Sequence, residues 1–201
     1  MKFIKRLFPP RKRPPADDYE QWWNARLAAM EVILGPSEDS VHHARQPLYL
    51  GGFADVLEFR HYIPGFAYVT SDLIGESQQH KSRLGNYELI ICTREKSEWA
   101  PNIISRLAKY TLEAALQPGD TMDLGDAVPE GSTIGALIFA EPDVKNNQFD
   151  VRGLKAGLLL CIGITMEELN VCQQQGSDVI LKKLKEQGIF PYTDLRRKTV
   201  K

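Results

Sequence analysis

An apolar run that leads straight into a helix start restricts the fold of this chain more than any other feature. Residues 157–164 have the sequence GLLLCIGI, and Thr165 follows them with Glu168 three positions later. In such a capping box, the threonine hydroxyl and the glutamate carboxylate each satisfy a backbone N–H group at the start of a helix. Since a bilayer-spanning helix needs ~20 apolar residues, the run predicts a buried strand that passes directly into a helix.

Helical and strand-like patterns alternate irregularly along the rest of the chain. The helix that begins after Thr165 is expected to break at Gly176 and to end at Gly188, because glycine favours helix ends. Residues 36–54, which contain Gly51, predict an irregular connection. The irregular order predicts an α+β fold with a mixed, largely antiparallel sheet and helices packed against it. The other predicted elements are helices over 17–34 and 101–116, a hairpin of strands over 56–63 and 66–71, and strands over 87–93 and 133–140.

Length, composition and cysteine use place the chain among ordinary globular proteins. Its 201 residues are 43% hydrophobic with a net charge of −1, which excludes a disordered chain and predicts no general attraction to nucleic acid. The three cysteines are odd in number, and Cys92 and Cys161 lie in apolar runs, so we expect free thiols in a reducing, cytoplasmic compartment. The predicted organisation is a basic, proline-rich tail over residues 1–16 and a single domain over residues 17–201.

The basic tail has two interpretations. Its apolar residues are interrupted by charge and followed by prolines, so it does not have the pattern of a signal peptide. It is either a solvated tail or a short amphipathic segment that contacts a partner or an anionic membrane surface. The residues that would make this contact are Lys5, Arg6, Arg11, Lys12 and Arg13.

A search for catalytic chemistry finds one weak candidate. Asp120, Asp123 and Asp126 form an acidic series that suggests a metal-dependent hydrolase. Glycines divide the segment into turns, however, where aspartates commonly bond their own backbone. The adjacent pair His42 and His43 does not have metal-ligand spacing, and no phosphate loop or nucleophile motif occurs. We therefore predict no cofactor, no metal site and no enzymatic activity, with the hydrolase as the alternative.

A series of short motifs, taken in order, resembles the Suppressor of Fused domain family. Each motif is common by itself, and the specificity comes from their order over about residues 63–200. The resemblance implies a mixed α/β domain without known catalytic activity. The motifs are FAYVTSDL at residues 66–73, GNYEL at 85–89, WAP at 99–101, LAKY at 107–110, PGD at 118–120, FAEP at 139–142, IGITMEEL at 162–169 and TDLRR at 193–197.

The resemblance also implies a function in protein binding. The animal relatives hold an extended peptide by strand addition, and Tyr110 and Asp120 match two of their peptide-binding positions. Tyr110 also continues the stripe of Ile103 and Leu107, which would place it in the core. The chain is similar to the bacterial single-domain form, which is associated with toxin systems, so we expect it to lack the second domain of the animal proteins. The expected partner is therefore another protein, either a toxin that the chain neutralises as an immunity protein or an extended peptide.

Overall fold

The computed structural model describes residues 16–200, so the tail residues Lys5, Arg6, Arg11, Lys12 and Arg13 lie outside the described part. None of the helices in that part has the length and apolarity that crossing a membrane requires. The described helices are α1 (Ala16–Leu34), α2 (Trp99–Tyr110), α3 (Met166–Gln175) and α4 (Ser177–Glu186). The strands are β1 (Ser37–His42), β2 (Val56–Phe59), β3 (Phe66–Thr70), β4 (Asn86–Thr93), β5 (Thr121–Asp123), β6 (Ala136–Ala140), β7 (Gln148–Val151) and β8 (Leu154–Ile164).

The eight strands form one sheet in the order β1-β2-β3-β4-β8-β6-β5, and β7 pairs with the first part of β8. Among the described strands, only β4 and β8 pair in parallel, with Tyr87 opposite Gly157 in register. Every other strand pair in the described sheet is antiparallel. The predicted α+β class, with a mixed and largely antiparallel sheet, is confirmed.

Helices cover both faces of this sheet. Along β4, Leu89 and Ile91 pack in the same buried cluster as α2, whereas Ile90 and Cys92 pack in the cluster that contains residues of α1, α3 and α4. This alternation follows from the period of two along a strand. A strand that is buried on both faces has to be apolar at nearly every position, which explains the continuous apolar runs at β4 and β8.

Three parts of the predicted secondary structure are wrong. Residues 36–54 contain the edge strand β1. Its sequence SEDSVH is mostly polar, so it does not show the hydrophobic pattern that would predict a strand. Helix α2 ends at Tyr110 and not at residue 116, because Thr111 turns its hydroxyl back to the carbonyl oxygen of Ala108 at 2.7 Å. Strands β5 and β7, of three and four residues, are too short to show a hydrophobic period.

The capping box between β8 and α3 is confirmed. The Glu168 backbone N–H donates to Thr165 Oγ1 at 3.2 Å, and the Thr165 N–H donates to Glu168 Oε2 at 2.9 Å. We expect Thr165→Ala to lower the free energy of unfolding by about 1–2 kcal/mol, because the loss of an N-cap acceptor costs about that much. Thr165→Ser keeps the hydroxyl and serves as the control. Urea denaturation measures both, and equal stabilities of the two variants would contradict the prediction.

Candidate protein-binding groove at the sheet edge

Strand β5 is an edge of the sheet, because among residues 16–200 it pairs with β6 alone. Its register toward β6 is fixed by two backbone bonds. Leu124 N donates to the carbonyl oxygen of Gly135, and Phe139 N donates to that of Asp120, both at 2.9 Å. Backbone groups alternate in direction along a strand, so the N–H and C=O groups of Thr121 and Asp123 point away from the sheet. The free edge of β5 therefore presents a short ladder of donors and acceptors.

Helical elements from both faces of the sheet flank this edge and make it the floor of a groove. Tyr110 at the end of α2 and Ala114 in the segment that follows it form one wall, and Gln173 from α3 and Ser177 from α4 form the other. The groove has a volume of about 430 Å³. We call it the β5 groove and define it by Tyr110, Ala114, Asp120, Thr121, Met122, Gln173 and Ser177.

Tyr110 lies on the open side of its helix. Its side chain is 43% exposed, so the interpretation of Tyr110 as a core residue is wrong. Helix α2 ends at this residue, and the segment that follows is anchored to the sheet where the Leu116 N–H donates to the Tyr87 hydroxyl at 2.9 Å. The phenol ring of Tyr110 is therefore available at the mouth of the groove, next to the floor formed by β5.

Asp120 lies at the start of β5 and is exposed. Its Oδ2 accepts from the Gln117 N–H at 2.8 Å and so closes the turn before the strand. Gly119 supplies the positive φ of 99° that this turn requires. Tyr110 and Asp120 come from different elements, and the fold brings both to the same groove.

The acidic series does not form a metal site. Asp123 Oδ1 accepts from the Gly125 N–H at 2.8 Å, and Asp126 belongs to a separate 3-10 turn over Gly125–Ala127. Within residues 16–200, no group of three His, Cys, Asp or Glu side chains has an arrangement that could hold a metal ion. His43 instead pairs with Asp55, at 2.9 Å between Nδ1 and Oδ2.

The tryptophans and the cysteines have structural positions. Trp22 and Trp23 are both half-buried, and they pack in two different clusters. All three cysteines are free, as the sequence predicted, and all three are buried. Burial raises the pKa of Cys92 and of Cys161 well above the ordinary value of a thiol, so both thiols remain protonated and unreactive.

The sequence patterns did not predict a buried polar network that lies around Glu88 of β4, away from the β5 groove. Glu88 Oε1 accepts from the N–H groups of Leu73 and Ile74 at 2.9 and 2.8 Å, and Oε2 accepts from Thr70 Oγ1 at 2.6 Å. Arg26 of α1 donates to the carbonyl oxygen of Ile74 at 3.0 Å. The network joins α1, β3 and β4, whereas β5 lies three strands beyond β4, so it does not belong to the groove.

Desolvation dominates the electrostatics of this network. It raises the pKa of Glu88 to about 8, although Arg26 and the hydrogen bonds favour the ionised form. It also raises the pKa of the neighbouring Asp72 to about 6, against the Asp55 N–H and Arg26, which favour the ionised form. Arg26 Nη2 lies 3.8 Å from Asp72 Oδ1, so a single buried guanidinium acts on both the partly buried Asp72 and the fully buried Glu88. The acid inside the apolar run of β4 was the sequence signal for this network.

Solved structures with the same fold place the chain in a class of mixed α/β domains. A suppressor of fused homolog from Neisseria gonorrhoeae FA 1090 has 18% sequence identity and a TM-score of 0.67, and the alignment covers 90% of this chain and 98% of that one. A Sufu–Fu complex has 14% identity and a TM-score of 0.68, with coverages of 94% and 93%. Drosophila Suppressor of Fused has 13% identity and a TM-score of 0.55, and the match covers 80% of this chain and 42% of that one.

The family follows from the sequence. A family model described as Suppressor of fused protein (SUFU) matches residues 54–198. This match covers more than half of the chain, which therefore belongs to the Suppressor of fused family. No curated protein sequence matches it.

Proposed function

We propose that residues 17–201 form one non-enzymatic domain that binds another protein by pairing an extended segment of that protein with the free edge of β5. The observation that carries this proposal is the outward direction of the backbone groups of Thr121 and Asp123, inside a groove that α2 and the α3–α4 corner flank. An exposed sheet edge pairs readily with an added strand, and the backbone bonds give such a complex its affinity.

Side chains of the groove would read the added segment on two alternating faces. The Met122 side chain packs toward α2, so a partner residue beside it would point toward Tyr110. The partner's neighbouring residues would point to the opposite face, toward Gln173. The Tyr110 ring supplies apolar contact area and a hydroxyl, and Asp120 has a second carboxylate oxygen available beyond its turn bond. The resemblance supports the same two residues, because both match peptide-binding positions of the animal relatives.

Binding without catalysis agrees with the chemistry of the groove. Two of the three aspartates of the acidic series bond neighbouring backbone groups, which leaves the hydrolase alternative without a supporting observation. A relative of the same fold is known in a complex of Sufu with Fu, which supports a protein as the partner. We place the domain in the cytoplasm, because its three buried thiols suit a reducing compartment.

The resemblance offers two classes of partner, and the groove favours one of them. An immunity protein that occludes a folded toxin typically buries ~800 Å² on each side of the interface. The feature described above is a narrow groove around a three-residue strand edge. We therefore propose an extended segment as the element that is bound. A toxin that carries such a segment is compatible with this proposal.

The proposed function can be tested with a displayed library of random peptides of roughly 16 residues, long enough to span ~50 Å when extended. We expect the full chain to enrich peptides that bind it. Thr121→Pro should weaken their binding about tenfold or more, because proline removes the outward N–H of β5 and blocks close approach. Calorimetry or fluorescence anisotropy measures the affinities.

Thr121→Val is the matched control, because valine keeps both the N–H group and the β-branched shape. The N–H of Thr121 does not pair with β6, so Thr121→Pro should keep the fold, which circular dichroism verifies. Tyr110→Ala should also weaken binding. Enriched peptides that bind all three variants as tightly as the unmodified chain would exclude the β5 edge as their site.

A further inference from the structure

A second depression begins where the β5 groove ends. Gly119 and Ser177 line both of them, so the two adjoin at these residues. The second depression has a volume of about 390 Å³ and lies between α4 and the end of β6. We call it the α4 depression; besides Gly119 and Ser177, its lining includes Arg83, Ala140, Glu141, Asp178, Leu181, Lys185 and Phe190.

The contact between Ser177 and Gly119 determines where an added strand must leave β5. Ser177 Oγ donates to the Gly119 carbonyl oxygen at 2.5 Å, so this oxygen already has a partner. A segment paired with Thr121 and Asp123 cannot continue the ladder at Gly119. The segment can cross above Gly119, however, because the space there is open. A Cβ atom placed on Gly119 would meet no other group within 4 Å. A segment that runs toward the start of β5 is therefore led into the α4 depression.

Two large apolar side chains lie among the charged residues that line the α4 depression. Leu181 and Phe190 are both half-buried and lie along one side of it. Each still has side-chain surface that a partner's aliphatic or aromatic residue would remove from water. Such burial is the main source of affinity in peptide grooves, where one or two apolar anchors dominate.

One cation of the depression lacks an acidic counterpart. Arg83 is neutralised by Glu141, at 2.7 Å between Nη2 and Oε1. Lys185 lies over the Phe190 ring, at 4.7 Å from Nζ to the centroid, and pairs with no carboxylate among residues 16–200. Asp178 also lines the depression, but it precedes Lys185 by seven positions on the same helix, which separates their backbones by ~10 Å. The end of the depression near Phe190 is therefore locally positive.

We propose that the partner segment continues from the β5 edge across Gly119 into the α4 depression, where an apolar residue packs against Leu181 and Phe190 and an acidic residue pairs with Lys185. This inference rests on the proposed function and adds a second element of recognition to it. The partner motif then has two parts, a short strand-forming stretch and, a few residues away, an apolar residue next to an acid.

The test uses peptides enriched from the same random library by the full chain. For each peptide, affinities are measured for the whole sequence and for a shortened version. The shortened version keeps only the stretch whose binding is weakened by Thr121→Pro. We expect truncation to weaken binding about tenfold, through the loss of one buried apolar residue and one ion pair. Lys185→Glu should weaken the whole peptide about three- to tenfold and leave the truncated peptide unchanged. Lys182→Glu is the matched control, because Lys182 lies on the same helix, is exposed and does not line the depression.

The possible outcomes separate this inference from the proposed function. In one outcome, Thr121→Pro weakens binding, but neither truncation of the peptide nor Lys185→Glu does. This outcome would overturn the proposed role of the α4 depression and leave the proposed role of the β5 edge intact. Binding that is insensitive to Thr121→Pro would overturn both proposals. If Lys182→Glu and Lys185→Glu weakened peptide binding equally, the loss of affinity would come from the net charge of the protein. This result would also overturn the inference.

Discussion

Arg197→Met is expected to lower the free energy of unfolding by about 3–5 kcal/mol, because it removes the counter-charge of a buried carboxylate. Arg197 Nη1 donates to Glu168 Oε1 at 2.6 Å, and Nη2 donates to Oε2 of the same carboxylate. The two side chains are 6% and 0% exposed. Methionine would fill much of the space and leave the buried Glu168 carboxyl group with the backbone N–H groups of Thr165 and Val200 as partners.

The same carboxylate also fixes the C-terminal segment. Glu168 Oε1 accepts from the Val200 N–H at 2.7 Å, and Arg197 Nη2 donates to the Gly163 carbonyl oxygen at 3.0 Å. We therefore expect faster amide exchange at Val200 in the variant. Arg196→Met is the matched control, because Arg196 is the adjacent residue in the chain and is exposed. Urea denaturation that gives the two variants equal stability would show that Arg197 is not needed to balance Glu168.

This pair helps explain why the family was visible in the sequence. Glu168 belongs to the motif at residues 162–169 and Arg197 to the motif at 193–197, and these motifs meet in the fold. Likewise Glu88, from the motif at 85–89, bonds the N–H of Leu73, from the motif at 66–73. Charged residues are rarely buried unless they are paired or hydrogen-bonded, so such sites tolerate few residue types. The order of the motifs therefore reflects contacts inside the domain. These contacts do not depend on which partner the domain binds.

The groove was much less predictable than the fold. Long apolar strands such as β4 and β8 show in the sequence because both of their faces are buried. Strand β5 has three residues and one of them, Asp123, is exposed, so neither its length nor its pattern distinguishes it from a turn. Tyr110 and Gln173 line the same groove because of how α2 and α3 pack on opposite faces of the sheet. No local pattern encodes that packing.

The second large effect is a loss of stability as the pH rises. The pKa of Glu88 is raised in the folded protein from its ordinary 4.5 to about 8, so the folded state holds this proton more tightly than the unfolded state does. The stabilisation is complete below about pH 4.5 and is lost as the pH rises to about 8. Asp72, whose pKa is raised from 3.8 to about 6, acts in the same direction at lower pH. Since each pKa unit corresponds to ~1.4 kcal/mol, we expect Glu88 by itself to reduce stability by roughly 3–5 kcal/mol across this window.

Glu88→Gln isolates the contribution of the buried proton. Glutamine keeps an acceptor oxygen for the N–H groups of Leu73 and Ile74 but cannot ionise, so stability should become nearly independent of pH above about 6. Urea denaturation of the full chain at about pH 5, 6.5 and 8 measures the slope. Glu95→Gln is the control, because Glu95 is exposed and its loss should leave the slope of the unmodified chain unchanged. A slope in Glu88→Gln as steep as in the control would mean that Glu88 is ionised in the folded protein across this range. The three hydrogen bonds and Arg26 would then outweigh the cost of burying its charge, and the buried network would stabilise the domain more at neutral pH than at acid pH.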